Sequence, residues 1–304
     1  MNSEIRKDYI QDKYVIIAPR RGGRPHEIQE RPPNSAPPSC HFCPPKIARE
    51  PSILQVIEKG AWQIKVIPNK FPAVSLDNPH AYGVQEVVVE TPAHGRHLED
   101  ISEIHLAQLL AVYGERTKAI AQDKKIEYLL IFKNSGGPAG ASLQHAHSQI
   151  FATHFLPPQL LDKSQKVQAY KLSTGHCVYC DVITKERPGP RHVFEDQHII
   201  AFTPYASLYN YELWIFPRRH VDNITLLTAA ERASWAKTLK RALKKITALN
   251  LPYNFYFHQV VRDEDQHLYM KITPRGSIWA GVEIGSGLII NPVSPEDAAT
   301  YYRK

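Results

Sequence analysis

The chain of 304 residues has no apolar run near the roughly 20 residues that a membrane-spanning helix needs. Its first residues are polar and charged, without the apolar stretch of a secretory signal peptide. Cysteine is scarce, and disulfides are not expected in a chain without an export signal. These absences argue against membrane and secreted classes, and we expect a soluble cytoplasmic protein.

The composition is that of a folded domain with an anionic partner. Hydrophobic residues make up 43% and charged residues 22% of the chain, so a core is expected and disorder is not. The net charge of +7 suits phosphate esters, nucleotides or nucleic acid and does not choose among them. The basic stretch 237–245 is interpreted as the solvated face of a helix.

The four cysteines form two Cys-x-x-Cys pairs, Cys40 with Cys43 and Cys177 with Cys180. Such pairs bind metal or act as redox dithiols. A redox pair normally opens a helix after a strand, whereas Cys40 follows a proline-rich segment and Cys43 precedes two prolines. The sequence therefore favours zinc over redox chemistry.

The sequence repeats itself once. In each half an apolar strand ends near a histidine, an amphipathic helix follows, and an aromatic-rich strand comes next. The helices are predicted at 102–121 and 229–249. This order predicts an α+β fold, with two halves in tandem that each contain a mostly antiparallel sheet and one long helix.

We place the two halves at residues 1–160 and 161–304. The segment 156–171 is polar and contains two consecutive prolines. It is expected to be the connection between the halves.

Each half also has a second histidine on its last strand, which completes two sets of four nitrogen and sulfur donors. Such a set suits tetrahedral zinc, and about two zinc ions per chain are expected. His97 is an alternative to His94, and His258 is an alternative to His267. The predicted ligands are Cys40, Cys43, His94 and His145 in the first half, and Cys177, Cys180, His220 and His267 in the second.

The last strand differs between the halves. His147 and Gln149 follow His145 at alternate positions, so the three side chains share one face of a strand. The second half has Tyr269 and Lys271 at the positions of His147 and Gln149. A free neutral imidazole beside a phosphate is a nucleophile for phosphorus. We predict this role for His147, with a fifth metal ligand or a packed histidine as the alternatives.

A glycine-rich segment, residues 134–142, precedes this strand. Its glycines permit close backbone approach, and successive amide groups can surround an anion. Asn134 and Ser142 add side-chain donors. The Gly-Lys-Ser/Thr ending of a P-loop is missing.

Three further residues are candidates for substrate binding. Arg21 and Arg24 offer forked guanidinium groups to phosphate oxygens, although an ordinary basic turn explains them equally well. Asn69 follows a strand and is a weaker candidate for a base or ribose pocket.

The motif His145-Ala146-His147-Ser148-Gln149 resembles the His-Pro-His-x-Gln of the galactose-1-phosphate uridylyltransferase family, a branch of the histidine triad superfamily. The likeness extends over nearly the whole chain and implies two histidine-triad-like halves. It also implies a ping-pong reaction, in which the nucleophile takes a nucleotidyl group from a nucleotide sugar, releases a sugar 1-phosphate, and passes the group to a second phosphate acceptor.

The resemblance assigns roles to the candidate residues. Gln149 would hold a non-bridging phosphate oxygen, and Asn69 would lie near the nucleoside. The first metal set matches a structural zinc site of the family, and a homodimer is suggested. The remaining candidates, which would bind the phosphates, are Arg21, Arg24, Asn134 and Ser142.

Two departures from the family pattern leave the substrate open. Ala146 replaces the proline, and Ser148 before the glutamine is similar to a branch that acts on ADP-glucose as a phosphorylase. The second Cys-x-x-Cys site and the tail 281–297 also resemble that branch. We expect a UDP-glucose:hexose-1-phosphate uridylyltransferase, with an ADP-sugar phosphorylase that uses phosphate and a histidine-triad-type hydrolase as alternatives. A nucleic-acid-binding zinc ribbon is not favoured, because the pairs are far apart.

Overall fold

The computed structural model describes residues 3–19, 40–261, 263 and 265–304. No helix in these ranges is long and apolar enough to span a membrane. The first part of the chain contains β1 (Glu4–Lys7), β2 (Tyr14–Ile17), α1 (Pro44–Ile47), β3 (Leu54–Glu58), β4 (Ala61–Pro68), β5 (Gly83–Val89), α2 (Glu103–Ile120), β6 (Tyr128–Ser135) and β7 (His147–Thr153).

The second part of the chain is richer in helix than expected. Its elements are α3 (Pro158–Thr174), α4 (Val178–Glu186), β8 (His192–Glu195), β9 (Ile199–Phe202), β10 (Leu213–Pro217), α5 (Ala229–Ala248), β11 (Tyr253–His258), β12 (Tyr269–Pro274), α6 (Gly281–Ser286), β13 (Ile289–Asn291) and α7 (Pro295–Arg303).

Ten strands form one sheet in the order β3-β4-β5-β7-β6-β11-β12-β10-β9-β8. Every neighbouring pair in it is antiparallel. Counted inwards from the two edges, the strands correspond one to one. The strands β3, β4, β5, β7 and β6 match β8, β9, β10, β12 and β11. The repeat is therefore two half-sheets that meet at β6 and β11, and the predicted α+β class is confirmed.

The two long helices lie side by side and contact each other. Leu109 and Tyr113 of α2 and Trp235 and Leu239 of α5 belong to one buried cluster that also contains side chains of the sheet, such as Phe257. α5 begins with a capping box, in which Thr228 accepts from the Glu231 amide and the Glu231 side chain accepts from the Thr228 amide. The helices predicted at 102–121 and 229–249 are thus both present.

The segment 156–171, expected to be a polar connection, contains most of α3. Pro157 is its N-cap and Pro158 is its first residue, where the missing amide hydrogen costs nothing. The two prolines therefore mark the start of a helix.

The N-terminal strands lie against the second half of the chain. β2 pairs in parallel with β13, and the Tyr9 hydroxyl donates to Glu186, 2.5 Å away. The domain boundaries 1–160 and 161–304 stay a prediction.

We predict that Thr228→Ala lowers the free energy of unfolding by about 1 kcal/mol, because the first turn of α5 loses a cap. Urea denaturation measures the change. Thr300→Ala, at an exposed position of α7, is the control and should change stability by less than about 0.5 kcal/mol. Equal effects of the two substitutions would contradict a role for the cap.

Candidate active site and metal clusters

Four side chains of the first half converge on one point. Cys40 and Cys43 lie just before α1, His94 follows β5, and His145 precedes β7, and their donor atoms are all within 4.8 Å of one another. The Cys40 Sγ–His145 Nδ1 and Cys43 Sγ–His94 Nδ1 distances are both 3.6 Å. Tetrahedral zinc places sulfur and nitrogen ligands about 3.6 Å apart. The donor set fits a zinc ion.

The orientation of His145 is fixed from its other side. Its Nε2 lies 2.8 Å from the carbonyl oxygen of Thr91, which can only accept a hydrogen bond. Nε2 therefore carries the proton, and Nδ1 presents its lone pair to the two cysteines. Such outer hydrogen bonds commonly orient metal-binding histidines.

The second half repeats this arrangement. Cys177, Cys180, His220 and His267 bring their donor atoms within 4.8 Å of one another. The Cys180 Sγ lies 3.4 Å from the His220 Nδ1 and 3.7 Å from the His267 Nδ1. The His267 Nε2 is 3.2 Å from the carbonyl oxygen of Pro217. Both sets of four predicted residues are therefore assembled as metal-type clusters.

The two alternative histidines lie elsewhere. Among the described residues, neither cluster includes His97 or His258. His97 lines a cavity next to His147. His258 is buried against the ring of Tyr269, with 4.8 Å between the ring centroids.

His147 is the first residue of β7 and only 7% of it is exposed. Its Nδ1 lies 2.9 Å from the carbonyl oxygen of His145, so Nδ1 carries the hydrogen and Nε2 has the lone pair in the neutral ring. Burial and the nearby charge of Lys133 lower the pKa of His147 to about 4. The imidazole is therefore neutral near pH 7, as a nucleophile requires.

Two cavities, of about 350 Å³ and 370 Å³, share His147 and Ser142 in their walls. Asn134 and the glycine-rich segment line the first cavity, while Asn69 and Gln149 line the second. The structure thus gathers four predicted residues, Asn69, Asn134, Ser142 and Gln149, around the imidazole of His147.

Arg21 and Arg24 lie outside the described residues. Their predicted contact with phosphate stays a prediction.

A chain of amide groups orients Gln149. The backbone N–H of Ala73 donates to the Gln85 Oε1 at 2.8 Å, so the other end of the Gln85 amide is its nitrogen. That nitrogen donates to the Gln149 Oε1 at 3.3 Å. The Gln149 Nε2 hydrogens are then left for an acceptor such as a phosphate oxygen. Gln85 had no distinguishing signal in the sequence.

The glycine-rich segment turns back on itself through two glycines in the left-handed region. The φ angles are +90° at Gly136 and +85° at Gly140, on either side of a short 3-10 turn at 137–139. A Cβ atom at Gly136 would lie 2.8 Å from the Cβ of Pro252. Both features require glycine, as the anion-loop prediction supposed.

A buried ion pair lies directly beneath the nucleophile. The Lys133 Nζ is 2.6 Å from the Glu90 Oε2 and 2.9 Å from the carbonyl oxygen of His147. The two side chains are 2% and 0% exposed, and burial raises the pKa of Glu90. Glu90 directly follows the apolar end of β5 and Lys133 follows the apolar run of β6, and neither was predicted as a site residue.

The equivalent place in the second half is filled. Lys163 of α3 is buried and donates to the Tyr269 hydroxyl, at the position of the nucleophile. Lys271, at the position of Gln149, pairs with Glu212 at 2.9 Å. The positions that correspond to His147 and Gln149 are therefore buried and bonded to other side chains in the second half.

Comparison with known proteins identifies the family of this chain. Residues 67–157 match the family model for the N-terminal domain of galactose-1-phosphate uridyl transferase. An ADP-glucose phosphorylase from Arabidopsis thaliana is 33% identical, over 99% of this chain and 92% of that protein. The chain belongs to the galactose-1-phosphate uridylyltransferase family.

A second relative and two solved structures match over nearly their whole length. The galactose-1-phosphate uridylyltransferase of Thermotoga maritima is 28% identical, over 99% of this chain and 98% of that protein. Among solved structures, an Arabidopsis thaliana ADP-glucose phosphorylase with bound ADP-glucose has a TM-score of 0.88 and 32% identity, over 100% of this chain and 99% of that one. A uridylyltransferase has a TM-score of 0.78 and 27% identity, over 99% and 97%. The resemblance inferred from the motif is confirmed, and membership supports an enzyme.

We predict that Cys43→Ser and Cys180→Ser each remove one bound metal ion, because each leaves three of four ligands. Elemental analysis of the purified proteins measures the content, expected at about two ions in the unchanged chain. A Cys43→Ser protein that keeps two ions would contradict the first cluster, and a Cys180→Ser protein that keeps two ions would contradict the second.

Proposed function

We propose that the protein is a nucleotidyltransferase that forms a covalent nucleotidyl-His147 intermediate. The observation that carries this proposal is the position of the His147 Nε2 lone pair. It belongs to a neutral, oriented imidazole between two cavities, with amide donors in both. An imidazole so placed is suited to attack phosphorus rather than to bind metal or fill a core.

In the first step, Nε2 attacks the α-phosphorus of a nucleotide sugar. The bond from the α-phosphorus to the bridging oxygen breaks, and the sugar 1-phosphate leaves with that electron pair. Gln149 donates to a non-bridging oxygen, and the amides of 134–142 with Ser142 surround the leaving phosphate. Donors held in place before the reaction stabilise the charge that develops in the transition state.

In the second step, an oxygen of the acceptor phosphate attacks the same phosphorus. The phosphorus–nitrogen bond breaks, and the electron pair returns to Nε2. The hydrogen bond from Nδ1 to the His145 carbonyl holds the ring in one tautomer through both steps. No other group needs to give or take a proton, because the acceptor is an anion.

The clusters suit structural zinc. The first would be held by Cys40, Cys43, His94 and His145, and its donor atoms are spaced as tetrahedral zinc requires. Bound zinc would supply rigidity to the start of β7. His147 is not needed as a ligand, since four donors are already present.

We propose ADP-glucose as the nucleotide sugar and inorganic phosphate as the acceptor, which would yield glucose 1-phosphate and ADP. The support is the Arabidopsis thaliana phosphorylase, with 33% identity and, for its structure, a TM-score of 0.88. Uridylyl transfer from UDP-glucose to a hexose 1-phosphate is the second candidate. It is supported by the family model and by the Thermotoga maritima relative.

We predict that mixing the protein with ADP-glucose, with no acceptor present, adds an AMP-sized mass to the chain. Intact-mass spectrometry detects the adduct, and His147→Asn, which keeps a polar side chain at the site, should show none. A UMP-sized addition from UDP-glucose alone would select the second candidate. Adduct in His147→Asn, or no adduct from either sugar in the unchanged protein, would refute the proposed intermediate.

The acceptor is identified by discharging the isolated adduct. We predict that inorganic phosphate removes the nucleotidyl group at least about 100-fold faster than buffer, since a bound anionic nucleophile gains from proximity. Galactose 1-phosphate is tested in parallel. Equal rates with and without any acceptor would favour the histidine-triad-type hydrolase.

A further inference from the structure

The second half forms one wall of the nucleophile's cavity. Strand β11 lies beside β6, and Asn254 is directly opposite Asn134 across the two strands. Asn250 and Pro252, which precede β11, line the same cavity as His147. The half without a nucleophile is therefore in contact with the phosphate-binding segment of the other half.

One amide group joins the first residue of that segment to the 3-10 turn in its middle. The Asn254 Nδ2 is 2.8 Å from the Asn134 Oδ1 and 2.7 Å from the carbonyl oxygen of Ala139. A backbone carbonyl only accepts, so the group that faces Ala139 must be the nitrogen of the Asn254 amide. Its two hydrogens are donated to two acceptors, one near the end of β6 and one in the 3-10 turn.

The hydrogen bond from Asn254 to Asn134 determines which end of the Asn134 amide faces the phosphate-binding segment. Because the Asn134 Oδ1 accepts from Asn254, its Nδ2 is the end directed towards the segment, 3.5 Å from the Gly140 carbonyl oxygen. An anion in the cavity then meets an N–H donor. Without the bond, Asn134 can turn its oxygen towards a phosphate and repel it.

The segment also needs an external restraint. It contains two glycines in the left-handed region, and glycine loses more backbone freedom on ordering than any other residue. Asn254 is 2.7 Å from the turn between those glycines. It therefore limits the motion of the backbone amides that would surround the phosphate.

We propose that Asn254 is a positioning residue, which acts through Asn134 and the 3-10 turn to hold the phosphate-binding segment in shape for transfer to His147. The proposal rests on the function proposed above for that segment. It gives the second half a part in the chemistry without contact with the reacting atoms.

The first test is the rate of nucleotidyl-His147 formation in a single turnover. Asn254→Ala should lower the rate about 10-fold, and Asn254→Asp about 100-fold, because the carboxylate would face two oxygen atoms. Asn291→Asp is the matched control, since the Asn291 amide also donates twice, in its case to the backbone carbonyls of Ser207 and Tyr209, outside both cavities. It should form adduct at the unchanged rate. Normal rates in both Asn254 variants would overturn the proposal.

A double-mutant cycle tests whether Asn254 acts through Asn134. If it does, Asn134→Ala combined with Asn254→Ala should lose much less than the product of the two single losses. A combined loss equal to that product would show two independent effects and refute the action of Asn254 through Asn134, which would leave only its contact with the 3-10 turn.

Hydrogen exchange tests the restraint without catalysis. In Asn254→Asp, amides 135–142 should exchange faster by mass spectrometry, while those of β12 and α5 should not change. Unchanged exchange in 135–142 would overturn the proposal even in an active enzyme. If the unchanged protein forms no adduct, the proposed function fails, and exchange still decides the role of Asn254.

Discussion

The site depends on the hydrogen bond from the His147 Nδ1 to the carbonyl oxygen of His145. His145 belongs to the first metal cluster through its side chain and orients the nucleophile through its backbone. Any displacement of the cluster would therefore turn the imidazole. Lys133 holds the carbonyl oxygen of His147 as well, so the residue is fixed at both ends. A buried group with so few degrees of freedom needs little reorganisation before it reacts.

The sequence predicted the features that repeat between the two halves and the side chains that share one face of a strand. Both clusters, both long helices and the gathering of Asn134, Ser142 and Gln149 around His147 follow from spacing and strand periodicity. Asn254 and the ion pair of Lys133 with Glu90 did not, because they join segments that come together only in the sheet. The helix α3 was missed because two prolines are as compatible with a loop as with a helix start. Arg21 and Arg24 lie outside the described residues.

The two halves share their metal-type cluster and strand order and differ in the side chains next to the cluster. The second keeps its cluster and its strand order, but Tyr269 and Lys271 replace the imidazole and the glutamine. Lys163 of α3 donates to the Tyr269 hydroxyl. Burial and the nearby charge of Lys271 lower the pKa of Lys163 to about 7. Burial of a lysine without hydrogen-bond or ionic partners costs free energy. We therefore interpret these residues as a buried polar cluster whose members stabilise one another.

The meeting of β6 with β11 also bears on how such a chain can be divided. In an open sheet an edge strand presents unpaired amides and carbonyls, which other chains can join. If the first half were produced alone, β6 would become such an edge, next to the strand that carries the nucleophile. Fusion of the halves therefore pairs β6 with β11 as well as joining the two halves in one chain. It removes an aggregation-prone edge from the strand that leads into the site, so the half without a nucleophile protects the half that has one.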